Sequence, residues 1–145
     1  MQQEMNANEK VYVKTFSGAT VEDMVHHAKP SQLYTPDLFI LHVGTNSLRS
    51  SKTPCEISND ILKLAIDLKT DKNEVLISGI IKRNDKWNEK GEQVNAHLKM
   101  KYSHLGLGYV DNSNVSHKHL NGSGIHLNSN GTNILANNFL RAMNV

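Results

Sequence analysis

The sequence predicts an α/β fold: a three-layer α/β/α sandwich of helices around a mostly parallel sheet. Two observations carry this. The runs "DLFILHVG" (37–44) and "EVLISGII" (74–81) are continuously apolar over strand length, as expected of strands covered on both faces. Around them lie segments whose apolar residues recur at helical spacing, so strand and helix alternate along the chain.

The elements follow in order. After a polar segment at 1–9, "KVYVKTF" (10–16) alternates Val11, Val13 and Phe16 against polar neighbours and reads as a partly covered strand. In "SGATVEDMVHHAKP", Thr20 can cap a helix, Glu22 and Asp23 suit its first turn, and Pro30 marks its end. The run at 37–44 is the next strand. "TPCEISNDILKLAIDLKT" is the clearest helix. Thr53 and Glu56 form a capping box, Pro54 takes the first helical position, and Ile57, Ile61, Leu64, Ala65 and Leu68 share one face. The strand at 74–81 leads into a polar stretch. Val94, Leu98, Tyr102 and Leu105 then mark another helix, stopped by Gly106. "LGYVDN" is a short strand, an Asn/Ser/His-rich loop follows, and "GTNILANNFLRAMN" closes the chain as a helix with Leu135, Phe139 and Met143 inward. The Asn-rich side of that helix reads as a solvated face.

At 145 residues the chain is one domain by length, read here as 10–145 after the polar leader. Sixteen basic against 14 acidic residues, with no Lys/Arg block, give nucleic acid little support as a partner. The single cysteine, Cys55, rules out an intramolecular disulfide and fits a reducing compartment. No apolar run approaches a membrane span and the N-terminus lacks a signal-peptide pattern, so a soluble, intracellular and cytoplasmic protein is expected.

Ligand chemistry in parallel sheets collects beyond the carboxyl ends of the strands. Gly44, Thr45 and Asn46 stand there, although Asn and Gly are also ordinary turn residues. Two other segments share that edge. "FSGAT" places Gly18 between a strand end and a helix start, where a backbone N–H can meet an anion. "GSGIHLNSNGTNILANNF" places His126 just before the last helix. Gly18, Asn46 and His126, in this order, resemble the SGNH/GDSL hydrolase superfamily from Lys10 to Asn144. More narrowly, "HVGTNSL", "SGIIKRND" and "SGIHLNSNGTNILANNF" resemble SGNH-like domains in open reading frames of invertebrate retroelements.

The resemblance implies a flavodoxin-like sheet and metal-independent, cofactor-free hydrolysis of a small ester or acetyl ester. The N–H of Gly18 and the amide of Asn46 would hold the oxyanion and His126 would act as general base. This sequence departs from the pattern in three places. The family's opening block, a hydrophobic central strand ending in Gly-Asp-Ser, should precede Lys10, yet "MQQEMNANEK" has no serine. Ser123 stands where an acid orients the histidine, a weakened substitute. Ser47 stands where aspartate commonly follows the asparagine. The chain therefore reads as a truncated or degenerate member, inactive or impaired. The alternative is a non-catalytic binding or assembly domain of a retroelement-type protein. Without the central strand, the strands at 10–16 and 37–44 would lie roughly 10 Å apart, two strand spacings. Direct pairing, or a homo-oligomer or strand-swapped assembly, would close that gap.

Other signals are weaker. Ser17 and Ser47 adjoin the key residues but sit off the expected nucleophile turn. Cys55, at a helix start, is read as an inert thiol. His117, His119 and His126, with Asp111, have a metal-like spacing but no obvious complete ligand set, and no metal is expected. His26 and His27 read as solvent-facing, and His42 as a core histidine with a partner. Arg83 and Trp87 are placed at the strand-end rim, where they can touch a ligand.

Overall fold

The computed structural model describes residues 19–32 and 36–143. Among them three parallel strands, β1 (Leu38–Leu41), β2 (Glu74–Ser78) and β3 (Gly108–Val110), pair in the order β1-β2-β3. Leu38 stands opposite Glu74 and Leu76 opposite Gly108. The helices are α1 (Val21–His27), α2 (Lys29–Gln32), α3 (Pro54–Leu68), α4 (Asn88–Lys101) and α5 (Ser129–Ala142). The strand read at 10–16, the polar leader and Gly18 lie outside the described residues. No helix among the described residues is long and apolar enough to cross a membrane.

The sandwich follows from the two-residue period of the strands. Phe39 and Leu41 of β1 and Val75 and Ile77 of β2 face one side. There they meet Ile57, Ile61, Leu64, Ala65 and Leu68 of α3 and Val94 and Leu98 of α4. Ile40, Leu76 and Val110 face the other side and pack with Leu135 and Phe139 of α5. The predicted apolar face of α3 is thus buried in full. Each such side chain contributes about 1.5–3 kcal/mol of transfer free energy. The predicted capping box of Thr53 with Glu56 forms and starts α3 behind Pro54; the expected cap Thr20 also forms a box, with Asp23, at the start of α1.

Three expectations need correction. Pro30 does not end the first helical region. α1 stops at Ala28, and Pro30 is the second residue of the short α2, a first-turn position where a missing N–H costs nothing. Leu105 is 41% exposed rather than inward. The chain tightens into a 3₁₀ turn at Ser103–Leu105 before left-handed Gly106, which breaks the helical period, and Leu107 is buried instead. The Asn-rich side of α5 is not wholly solvated either, because Asn138 is 6% exposed. Its amide donates to Asn112 and Asn114 and accepts from Asn114 and Arg141, all within 2.9 Å.

Candidate active site

Past Leu41 the chain turns at Gly44, whose φ of +122° few side chains tolerate. A Cβ there would sit 3.0 Å from Ile80 Cδ1 and 3.1 Å from Ile61 Cδ1. Only a glycine lets the strand leave the core so abruptly. The next residues, Thr45–Arg49, form a 3₁₀ turn that lifts Asn46 clear of the sheet. Asn46 Nδ2 donates to the carbonyl of Ala19 (3.1 Å), and Ser47 Oγ accepts from Val21 N (3.1 Å). The Asn46 turn is therefore docked on the entry to α1, one residue past Gly18. Ser47 is 3% exposed with its hydroxyl engaged, a post for α1 rather than a free nucleophile.

The second support is Arg83, which is 4% exposed. Its Nη1 donates to the carbonyl and Oγ1 of Thr45 (3.2 and 3.1 Å). Its Nε and Nη2 grip Asp85 at 2.6 to 3.2 Å. These hydrogen bonds hold the Asp85 carboxyl below its ordinary value. Arg83 was read as a rim group able to touch a ligand; its guanidinium is instead used up inside the protein. The signal for this was the Arg-x-Asp spacing, which lets one side chain fold back on the other. Trp87 is half-buried and leads into α4.

The third segment carries His126. Asn84 N donates to Gly124 O (2.7 Å), so the residue after Arg83 anchors the histidine loop. The loop is closed by the Leu120–Leu127 bridge and by Asn121 N donating to His126 O (2.8 Å). Asn128, two residues past His126, caps α5 by accepting from Gly131 N (2.9 Å), and its own N–H donates to His119 O (2.9 Å). His126 is exposed, and its ring takes no hydrogen bond among the described residues. Ser123 Oγ accepts from the backbone N–H groups of Ile125 and His126 (3.3 and 3.2 Å) and donates to Asn121 Oδ1. It shapes the loop through the backbone.

Gly131 fits where no side chain would: a Cβ would lie 2.3 Å from His119 O. Gly131→Ala is expected to lift the first turn of α5 off that carbonyl, costing about 2 kcal/mol. Amide exchange should accelerate at Asn128 and Asn121, whose N–H groups hold the loop, while α3 keeps its protection.

Among the described residues no group of three His, Cys, Asp or Glu comes together as a metal site. A cleft of about 400 Å³ lies between β3 and α5, lined by Tyr109, Asp111, Asn114, Asn138 and Arg141 among others. Asn46, Ser123 and His126 are not among its lining residues, whereas Asp111, weighed above beside the histidines, is. Its wall also belongs to what the sequence reading missed: a polar layer in which Ser78 Oγ meets His42 Nδ1 (2.7 Å) and accepts from Asn112 (2.8 Å), which in turn meets Asn138.

A parallel sheet with helices on both faces matches the SGNH/GDSL hydrolase fold. Solved structures agree. A member of the lipolytic G-D-S-L family from Veillonella parvula superposes with a TM-score of 0.73 at 17% identity, over 88% of this chain and 76% of that one. A GDSL-like lipase from Bacteroides thetaiotaomicron gives 0.78 at 16%, over 88% and 72%. A catalytic mutant of an acetylxylan esterase from Geobacillus stearothermophilus gives 0.74 at 18%, over 89% and 69%. The sequence matches no protein-family model and no curated protein.

Proposed function

We propose that this domain is an ester hydrolase of the SGNH/GDSL type, acting on a small acyl or acetyl ester; the 145 residues by themselves, which hold no Gly-Asp-Ser block, are impaired. The observation that supports it is the common anchor of the two key segments. Arg83 binds Thr45 beside Asn46, and Asn84 binds Gly124 beside His126. One Asn46 N–H is spent on Ala19, which aims the amide and leaves its second N–H for an oxyanion. With water in place of the serine, His126 takes a proton as the water oxygen attacks the carbonyl carbon. The oxyanion then collapses, the C–O bond to the alcohol breaks, and His126 returns the proton to the leaving oxygen. The products are a carboxylic acid and an alcohol.

The test is hydrolysis of p-nitrophenyl acetate by the purified chain beside Asn46→Ala and His126→Ala. A slow rate is expected, falling in both variants to that of free imidazole. If all three proteins match free imidazole, the reading fails. The second reading, a non-catalytic binding or assembly domain of a retroelement-type protein, then takes its place. That reading draws its support from Ser123 standing where the resemblance implies an acid that orients the histidine.

A further inference from the structure

The rim beside the Asn46 and His126 segments carries an unusual grouping of charge. Lys86 Nζ lies 5.0 Å and Lys90 Nζ 5.6 Å from the ring centroid of Trp87. Lys90 Nζ is held by the Ser50 carbonyl at 2.9 Å, just past the turn that bears Asn46. Arg49 stands on that turn and acts on Asp85. Among the described residues, Arg49, Lys82, Lys86 and Lys90 have no acidic partner within ion-pair distance, whereas Lys52 has two and Lys63, Arg83 and Lys99 have one each. Asp85, the acid in this loop, is taken up by the buried Arg83. Glu89 and Glu92 follow on α4, and Glu92 accepts from Asn88. The chain as a whole is nearly balanced in charge, so its overall composition does not account for this local excess.

We propose that Lys86, Trp87 and Lys90 form a subsite for an anionic group, a carboxylate or phosphate, carried by the ester this domain takes. Two ammonium groups held near one aromatic ring concentrate positive potential at that rim. Trp87 N donates to Asp85, which pairs with the Arg83 that holds Thr45, and Asn84 holds Gly124, so this rim belongs to the segment that anchors both the Asn46 turn and the His126 loop. The word "ester" rests on the function proposed above; the anion subsite does not.

Trp87 is the chain's single tryptophan and so reports on its own rim. The experiment is a fluorescence titration of the intact chain with two unreactive acetyl amides, 4-acetamidobenzoate and neutral acetanilide. Phenyl phosphate is a third arm that separates phosphate from carboxylate preference. At low ionic strength at least one anion is expected to bind ten-fold or more tighter than acetanilide. The preference should vanish in Lys86→Gln/Lys90→Gln and survive in Lys86→Arg/Lys90→Arg. Equal affinities, no saturable signal, or a preference that the glutamine variant retains overturns the proposal. Because this readout is binding, anion preference without ester turnover would leave the subsite standing and remove only the hydrolase reading. Turnover without preference would do the reverse.

Discussion

Asp85→Ala is expected to destabilise the domain by about 3 kcal/mol, read as a lower urea midpoint at neutral pH. The cost comes from Arg83 rather than from the lost carboxylate. Arg83 is 4% exposed and has Asp85 as its ion-pair partner, so removing the acid leaves a guanidinium charge in the protein with only the Thr45 oxygens to meet it. Adding Arg83→Met should therefore recover part of the loss, since an apolar side chain of similar length needs no counter-charge. A double variant as unstable as the sum of its parts would mean that the two groups are not energetically coupled. The pH dependence follows from the same pair. Arg83 lowers the folded-state pKa of Asp85 from its ordinary 3.8, so the carboxylate binds protons more weakly when folded than when unfolded. Its contribution is present above that ordinary value and is lost as pH falls through the lowered one. Wild type should thus lose stability faster than Asp85→Ala below about pH 4.

That pair also marks the limit of what could be read in the sequence. Local signals were legible because their physics is local. Thr53, Pro54 and Glu56 cap a helix within four residues, and the spacing of Ile57 to Leu68 fixes which face is buried. The continuous apolar runs of β1 and β2 announced two-sided burial, and their order announced a parallel sheet. Leu105 failed because one tightened turn changes the period from 3.6 to three residues, and no composition cue precedes it. Arg83 was misread, and the supporting part Ser47 plays was not visible, for a different reason. Each is satisfied by a partner 38 or 26 residues away, which only the assembled fold supplies. The order of Asn46 and His126 was visible as a pattern. Their shared anchor on Arg83 and Asn84 was not, because Arg83 reaches Thr45 across 38 residues and Asn84 meets Gly124 through backbone groups that every residue type possesses.

Asn138 did leave a signal. It falls at i+3 from Leu135 and next to Phe139, on the same stripe of α5, so the helical period already placed an amide inside. The expected result of Asn138→Leu is a loss of about 3 kcal/mol, larger than a surface substitution on this helix would give. Two physical effects add. Asn112 is 5% exposed, and its Oδ1 loses the donor that Asn138 supplies, which strands a buried acceptor at about 1–3 kcal/mol. The bulkier leucine must also be accommodated against Asn112, Asn114 and Arg141, which adds strain of similar size. Asn138→Ala makes room for a water to replace the amide and should cost less. The decisive comparison adds Asn112→Ala to each variant, measured by chemical denaturation. If the stranded Asn112 oxygen is the main cost, Asn112→Ala in the Asn138→Leu background will be nearly neutral, though it destabilises the wild type. If the two costs simply add, packing rather than the amide network holds α5 to the sheet.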